Sequence, residues 1–158
     1  MKSKKRTSSK GRNRGEITLI PSLEEGQPED FAESVTMQDL KLSPPLYKRI
    51  SKKRSPCVVD VNVSGKVLEI LCVYLRHRNG RHPAQIKAPV QATRMNKIVD
   101  KFDAAYVDHL FNKRATFYEV LAAAHSLKID PLLDLCSAKI ASVIKGRTPT
   151  EMASLLQP

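Results

Sequence analysis

Cys136 and His125 are the residues whose types could carry covalent chemistry, as a nucleophile and its base. They stand in neighbouring segments of helical pattern and could face each other across a helix pair. A catalytic pair also needs a third group that orients the base, and the sequence offers no plausible cluster of the three. Cys136 lies in an apolar helical segment, where a cysteine is more often a core residue. We therefore expect no catalytic residue, no cofactor and no enzymatic activity.

A second candidate group surrounds the end of a predicted helix, where His77 and His82 alternate with Arg76, Arg78 and Arg81. Guanidinium groups bind phosphate through paired N–H donors, so this segment could hold a phosphate. A solvated basic loop is the plainer interpretation, and the sequence leaves both open. We expect no metal site here.

The cysteines Cys57, Cys72 and Cys136 are odd in number and share no short spacing, which predicts neither a disulfide framework nor a zinc site. Buried thiols in a reducing compartment fit best. No apolar run reaches about 18 residues, and the amino terminus lacks the apolar core of a secretory signal. We therefore expect no membrane contact and a cytoplasmic protein, with the cytoskeleton, the cilium or the nucleus as alternative locations.

Positive charge is concentrated at the amino terminus. The chain of 158 residues carries a formal net charge of +11, and every charge before Glu16 is positive. Residues 1–15 hold almost no apolar side chain, which predicts a tail that is disordered when unbound. The alternatives for this tail are a solubilising segment and a nuclear-import signal. The residues expected to bind an acidic surface, such as tubulin, RNA or an acidic protein, are Lys4, Lys5, Arg6, Lys10, Arg12, Arg14, Lys52, Lys53 and Arg54.

Three strands are predicted in the first part of the chain. Alternating residues predict strands over 16–20 and 31–37, paired as a hairpin across an acidic loop. Ser43 and the two prolines after it predict a short helix over 43–50. The β-branched residues over 57–61 predict a third strand.

Helical spacing dominates the rest of the sequence. One helix is predicted from Val63 until Asn79-Gly80, followed by a loop up to residue 101 with at most fragments of structure. Amphipathic helices are predicted over 102–110 and 117–124. Asp130-Pro131 is predicted to cap a further helix, and a capping residue, proline and glutamate over 148–151 predict the start of the last one.

Three motifs of the second half carry a family resemblance. Residues 117–129, FYEVLAAAHSLKI, resemble the segment LFELILAANYLDI of the S-phase kinase-associated protein family. Residues 132–136, LLDLC, resemble its LLDLTC, and residues 144–152, IKGRTPTEM, are similar to its IKGKTPEEI. The order and near-identical spacing of the motifs identify the chain as a member of this family.

The resemblance implies an α/β fold of the BTB/POZ type, in which a small three-stranded sheet packs against a helical cluster with additional helices at the carboxyl terminus. Residues 16–129 would form the BTB/POZ-like domain. Residues 130–158 would form an extension that binds F-box proteins and that stops before the family's final acidic loop and aromatic-bearing helix.

The implied partners are an F-box-like helical protein and a cullin. The resemblance places the F-box-like partner in a groove formed by Leu132, Leu133, Cys136, Ile140, Val143, Ile144 and Met152. The cullin-like face would include His125 and Ser126, where the family has an Asn-Tyr pair, so a large aromatic contact is missing. The family is also acidic where this chain is basic.

Two functional hypotheses follow. In the first, the chain is a non-catalytic adaptor or scaffold that binds a helical F-box-like partner within a larger assembly with an acidic surface, such as an axoneme, a kinetochore or a ribonucleoprotein. In the alternative, it is the adaptor subunit of an SCF-type cullin-RING ubiquitin ligase and links a cullin to F-box proteins.

Overall fold

The computed structural model describes residues 16–21, 32–53 and 57–158, so the predicted tail and Arg54 lie outside these ranges. The described chain contains the strands β1 (Glu16–Pro21), β2 (Glu33–Thr36) and β3 (Cys57–Val61). Its helices are α1 (Pro44–Ser51), α2 (Gly65–Arg78), α3 (Lys101–Phe111), α4 (Arg114–Ser126), α5 (Asp130–Ile144) and α6 (Pro149–Leu156). This order confirms the predicted α/β class with a small sheet and a helical cluster.

β1 forms the middle of the sheet, whose order is β2-β1-β3. It pairs with β2 in antiparallel orientation, with Ile17 opposite Val35, and with β3 in parallel, with Leu19 opposite Val59. Because alternate side chains of a strand share a face, these four residues lie together, and each is at most 3% exposed. The predicted antiparallel pairing of the first two strands is confirmed, and the acidic loop between them lies outside the described residues. β2 covers Glu33–Thr36 and is therefore shorter than the predicted strand over 31–37.

α2 contacts both β1 and β2. Its side chains Val67, Leu71 and Leu75 are at most 3% exposed. The Ser64 hydroxyl accepts a hydrogen bond from the Val67 amide at 3.4 Å and so caps the first turn. At the other end Asn79 has a left-handed backbone with a φ of 47°, which ends the helix where the sequence predicts it.

α3, α4 and α5 pack against one another, and α4 also contacts α2. The side chain of Phe117 is fully buried and lies edge-on to Phe111, with 5.0 Å between the ring centroids. The start of α5 differs from the prediction. Asp130 is the first residue of the helix and not its cap, because the capping position belongs to Ile129, which has no polar side chain.

The segment between α2 and α3 carries one short 3-10 turn, Met95–Lys97, and otherwise irregular backbone, as predicted. Arg78 ties it to α3, since its guanidinium lies 2.8 Å from the Asp100 carboxylate and also pairs with Asp103. Burial raises the pKa of the Asp103 carboxyl although Arg78 acts in the opposite direction. The end of α2 is therefore fixed by a partly buried ion pair.

Candidate partner-binding surfaces

α5 and α6 together present a partly accessible apolar surface, here named the α5–α6 surface. Leu133, Ile140 and Ile144 of α5 are spaced seven and four residues apart, which places them on one side of the helix. These three residues, with Val143 and with Met152 of α6, are half-buried. Side chains of this kind form the surface that an amphipathic helix of a partner can cover.

Leu132 and Cys136 do not belong to the α5–α6 surface, and the expectation that they line the groove is wrong. Both are 0% exposed within the core. Burial raises the pKa of the Cys136 thiol to about 12, so the thiol is protonated at neutral pH. His125 is exposed in the last turn of α4. Because the thiolate is the nucleophilic form of cysteine, this arrangement does not provide the nucleophile and base considered above.

α6 is held at both ends by side chains. At its start Thr148 and Glu151 form the predicted capping box, with the Thr148 amide 2.8 Å from the Glu151 carboxylate. At its end the Arg114 guanidinium donates to the Leu155 carbonyl at 3.1 Å. The Arg114 bond ties the end of α6 to α4, whereas the capping box lies within α6 and orders its first turn.

Arg114 was not among the residues predicted to form a site. It lies on α4, as does Tyr118, and both reach α6. The sequence hints at this role only through the spacing of Arg114 and Tyr118. They stand four residues apart, so their polar ends lie on one side of a mainly apolar helix. That spacing shows a shared face but not the element that the face contacts.

A groove of about 590 Å³ lies between α2 and α4 and is here named the α2–α4 groove. Its lining consists of Asn62, Val63, Ser64, Lys66, Val67, Glu119, Ala122, Ala123 and Ser126. Both residues of the predicted cullin-like face, His125 and Ser126, are exposed at the end of α4, and Ser126 lines the groove. A serine fills much less space than the tyrosine of the resembled motif, so a partner side chain has room to enter.

The histidine and arginine segment is largely engaged within the protein. Arg76 donates to the carbonyl of Ser34 at 3.0 and 2.7 Å, which ties α2 to β2. The ring of His77 stacks on Phe102 with 3.3 Å between centroids. Arg78 forms the ion pairs described above. These contacts favour a structural role over a phosphate site, while Arg81 and His82 are exposed.

Lys52 and Lys53 are exposed directly after α1, and so is Lys48 within that helix. The other residues expected to bind an acidic surface, Arg54 and the cations of the tail, lie outside the described residues. The described part of the chain therefore presents a short basic segment at the end of α1.

The described residues carry neither a membrane-spanning helix nor a cluster of metal ligands. Over the described ranges, no helix has both the length and the apolar character needed to span a bilayer. The same residues contain no group of three His, Cys, Asp or Glu side chains that could hold a metal ion. Cys57, Cys72 and Cys136 are free and buried, which confirms the predicted burial.

Comparison with known proteins shows that the segment containing α5 and α6 is similar to a known family. Residues 130–157 match the family model described as the Skp1 family, dimerisation domain. The chain is 30% identical over 136 residues to SKP1-like protein 20 of Oryza sativa subsp. japonica, which covers 81% of this chain and 75% of the rice protein.

Two further relatives also carry SKP1 names. The chain is 32% identical over 91 residues to the S-phase kinase-associated protein 1 homolog of Tetrahymena thermophila, which covers 58% of this chain and 54% of that protein. It is 29% identical over 110 residues to the SCF ubiquitin ligase complex protein SKP1a of Dictyostelium discoideum, covering 70% and 65% of the two chains. The matched part thus spans only about half the length of the Tetrahymena relative.

Proposed function

Because this chain belongs to the Skp1 family, we propose that it is the adaptor subunit of an SCF-type cullin-RING ubiquitin ligase and links a cullin to an F-box protein. The observation that carries the proposal is that the family match over 130–157 coincides with α5 and α6. The name of the Dictyostelium relative refers to the SCF ubiquitin ligase complex, which supports the same assembly here.

The α5–α6 surface is the proposed site of the F-box protein. Ile140, Val143 and Ile144 are half-buried and apolar, so a partner helix would remove the remaining apolar area from water. The bond of Arg114 ties the end of α6, the second wall of this site, to α4, and the capping box orders its first turn. A wall that is already ordered reduces the entropy that binding must offset.

The α2–α4 groove, with His125 and Ser126 at its end, is the proposed site of the cullin. The lining combines small apolar side chains with Lys66 and Glu119, so it suits an apolar side chain of the partner surrounded by polar contacts. In this proposal the cullin supplies the bulk that Ser126 lacks.

The other hypothesis, a structural subunit of an axoneme, a kinetochore or a ribonucleoprotein, has less support. The relatives described above are named as SKP1 proteins or as part of an SCF ligase. Contact with an acidic surface remains a separate proposal, supported by the exposure of Lys52 and Lys53. It predicts binding that weakens as salt is raised.

The experiment that tests the adaptor proposal is a binding measurement with the full chain, an F-box domain and the amino-terminal domain of a cullin. Isothermal titration calorimetry of this chain with the F-box domain and with the cullin domain should show binding in both cases. Each partner should also bind with the same affinity to the complex of this chain with the other partner. Competition between the two partners, or no binding of an F-box domain, would contradict an adaptor with two separate sites.

A further inference from the structure

A smaller concave site lies between α2 and α3, apart from the α5–α6 surface. This cavity of about 240 Å³, here named the α2–α3 cavity, has Ile70, Val73 and Leu110 as its aliphatic lining. Val73 is 44% exposed, which makes it a large apolar side chain in contact with water. An accessible apolar side chain inside a concave site is a common anchor point for a ligand.

The neutral polar groups of the α2–α3 cavity are already bonded within the protein. The Tyr106 hydroxyl donates to the carbonyl of Ile70 at 2.9 Å. The Thr116 hydroxyl accepts a hydrogen bond from Lys66 Nζ at 2.8 Å. A ligand group that enters therefore meets an apolar interior, and its polar atoms must find partners at the entrance.

The ionisable side chains at the entrance of the α2–α3 cavity are basic. Lys66, His109 and Lys113 are exposed residues of its lining, and that lining contains no acidic residue. Among the described residues none of the three forms an ion pair. The carboxylate of Asp108, which neighbours His109 in sequence, lies 2.7 Å from Lys139 Nζ and is thus compensated elsewhere.

We propose that the α2–α3 cavity binds an acidic peptide segment of a partner protein, in which one aromatic or aliphatic side chain stands between carboxylates. The apolar side chain would contact Ile70, Val73 and Leu110, and the carboxylates would lie against Lys66 and Lys113. The cavity volume of about 240 Å³ is below the range of pockets for drug-sized molecules and suits a single anchoring side chain.

This site is separable from the proposed ligase function. Of its lining residues only Lys66 also lines the α2–α4 groove, and none belongs to the α5–α6 surface. A substitution at Val73 or Lys113 therefore tests the cavity alone. F-box and cullin binding should be unchanged in such variants, so a failure of either proposal can be recognised separately.

The test uses the full chain, labelled with ¹⁵N, and three synthetic peptides. One peptide has Phe between two Asp-Glu pairs, the second has Ala in place of Phe, and the third has Lys-Lys in place of each acidic pair. NMR titration should show saturable shifts around Val73 and Leu110 with the first peptide alone. Val73→Glu should abolish them, whereas Val58→Glu, the same change at a residue 53% exposed on β3, should not.

The charge requirement is tested by Lys113→Glu against Lys101→Glu, an exposed lysine at the start of α3. The first change should weaken peptide binding about tenfold and the second much less, because only Lys113 lines the cavity. The proposal is overturned if the basic peptide binds as well as the acidic one. It is also overturned if no peptide gives saturable shifts, or if Val73→Glu leaves them intact.

Discussion

The hydroxyl of Tyr118 lies 2.5 Å from the carbonyl oxygen of Leu156, a residue of the last turn of α6. Together with Arg114, which donates to Leu155, it satisfies carbonyls that the end of a helix leaves without an internal partner. These two contacts tie the last turn of α6 to α4 and so help to hold this wall of the α5–α6 surface.

Tyr118→Phe should loosen α6 without unfolding the protein. The ring can keep its contact with Phe117, at 5.6 Å between centroids, while the hydrogen bond to Leu156 is lost. The expected cost is about 1 kcal/mol, which corresponds to a roughly fivefold increase in local opening. Native-state hydrogen exchange of the α6 amides measures it.

The matched control is Tyr47→Phe on α1, a tyrosine that is 37% exposed. It removes the same hydroxyl from a side chain for which no hydrogen bond is found in the described part of the chain. Equal exchange of the α6 amides in the two variants would show that the Tyr118 hydroxyl does not hold the helix.

The capping box predicts a pH dependence of α6. Hydrogen bonds from the Thr148 amide and hydroxyl lower the pKa of the Glu151 carboxyl. A depressed folded-state pKa means that the stabilisation is complete above the ordinary pKa of a glutamate and is lost as the pH falls through the lowered value. The first turn of α6 should therefore fray in acid.

NMR of the Thr148 and Glu151 amides as a function of pH measures this fraying. In Glu151→Gln the side chain can still accept the hydrogen bond from Thr148 but does not titrate, so the acid-dependent change should disappear. If Glu151→Gln frays over the same pH range as the natural chain, another carboxyl is responsible.

The ion pair of Arg78 and Asp103 should matter more for folding than an exposed one. Both side chains are at most 10% exposed, so Asp103→Asn leaves a largely buried guanidinium with reduced compensation. We expect a loss of about 2 kcal/mol in the free energy of unfolding, measured by urea denaturation, which is less than for a fully isolated charge because Asp100 still pairs with Arg78. Asp108→Asn is the control, because its carboxylate is 49% exposed and its pair with Lys139 should contribute under about 1 kcal/mol. Equal losses would contradict the ranking by burial.

Local patterns were sufficient to predict the elements of this fold. Ile17 and Leu19 alternate as strand residues do, and Asn79 marks the end of α2, whereas the start was predicted at Val63 and lies at Gly65 after the Ser64 cap. These signals depend on neighbours in sequence, which is why the hairpin and the helices were predictable from the residues alone.

The orientation of α5 was harder to predict, because apolar residues cover most of the helix and only Asp130, Asp134 and Ser137 mark an exposed polar side. Leu132 and Leu133 are adjacent and identical, yet one is 0% exposed in the core and the other is half-buried at the surface. Only the packing of α3 and α4 against α5 decides between them. The bonds of Arg114 and Tyr118 to α6 join residues 41 and 38 positions apart, and no local pattern predicts such contacts.

The α5–α6 surface yields the most direct prediction for the proposed adaptor. Ile140→Asp places a carboxylate on the half-buried side of α5 that a partner helix would cover. An unpaired charge in a desolvated contact should reduce the affinity for an F-box domain at least about thirtyfold, or about 2 kcal/mol.

Val58→Asp is the matched control for that experiment, since Val58 is 53% exposed on β3 and away from α5 and α6. Ile140 also packs against the core, so the thermal unfolding of each variant must be recorded to show that it is folded. Ile144→Asp is a second test variant, nearer the end of the helix. A folded Ile140→Asp or Ile144→Asp variant that binds the F-box domain with unchanged affinity would remove the α5–α6 surface as the F-box site.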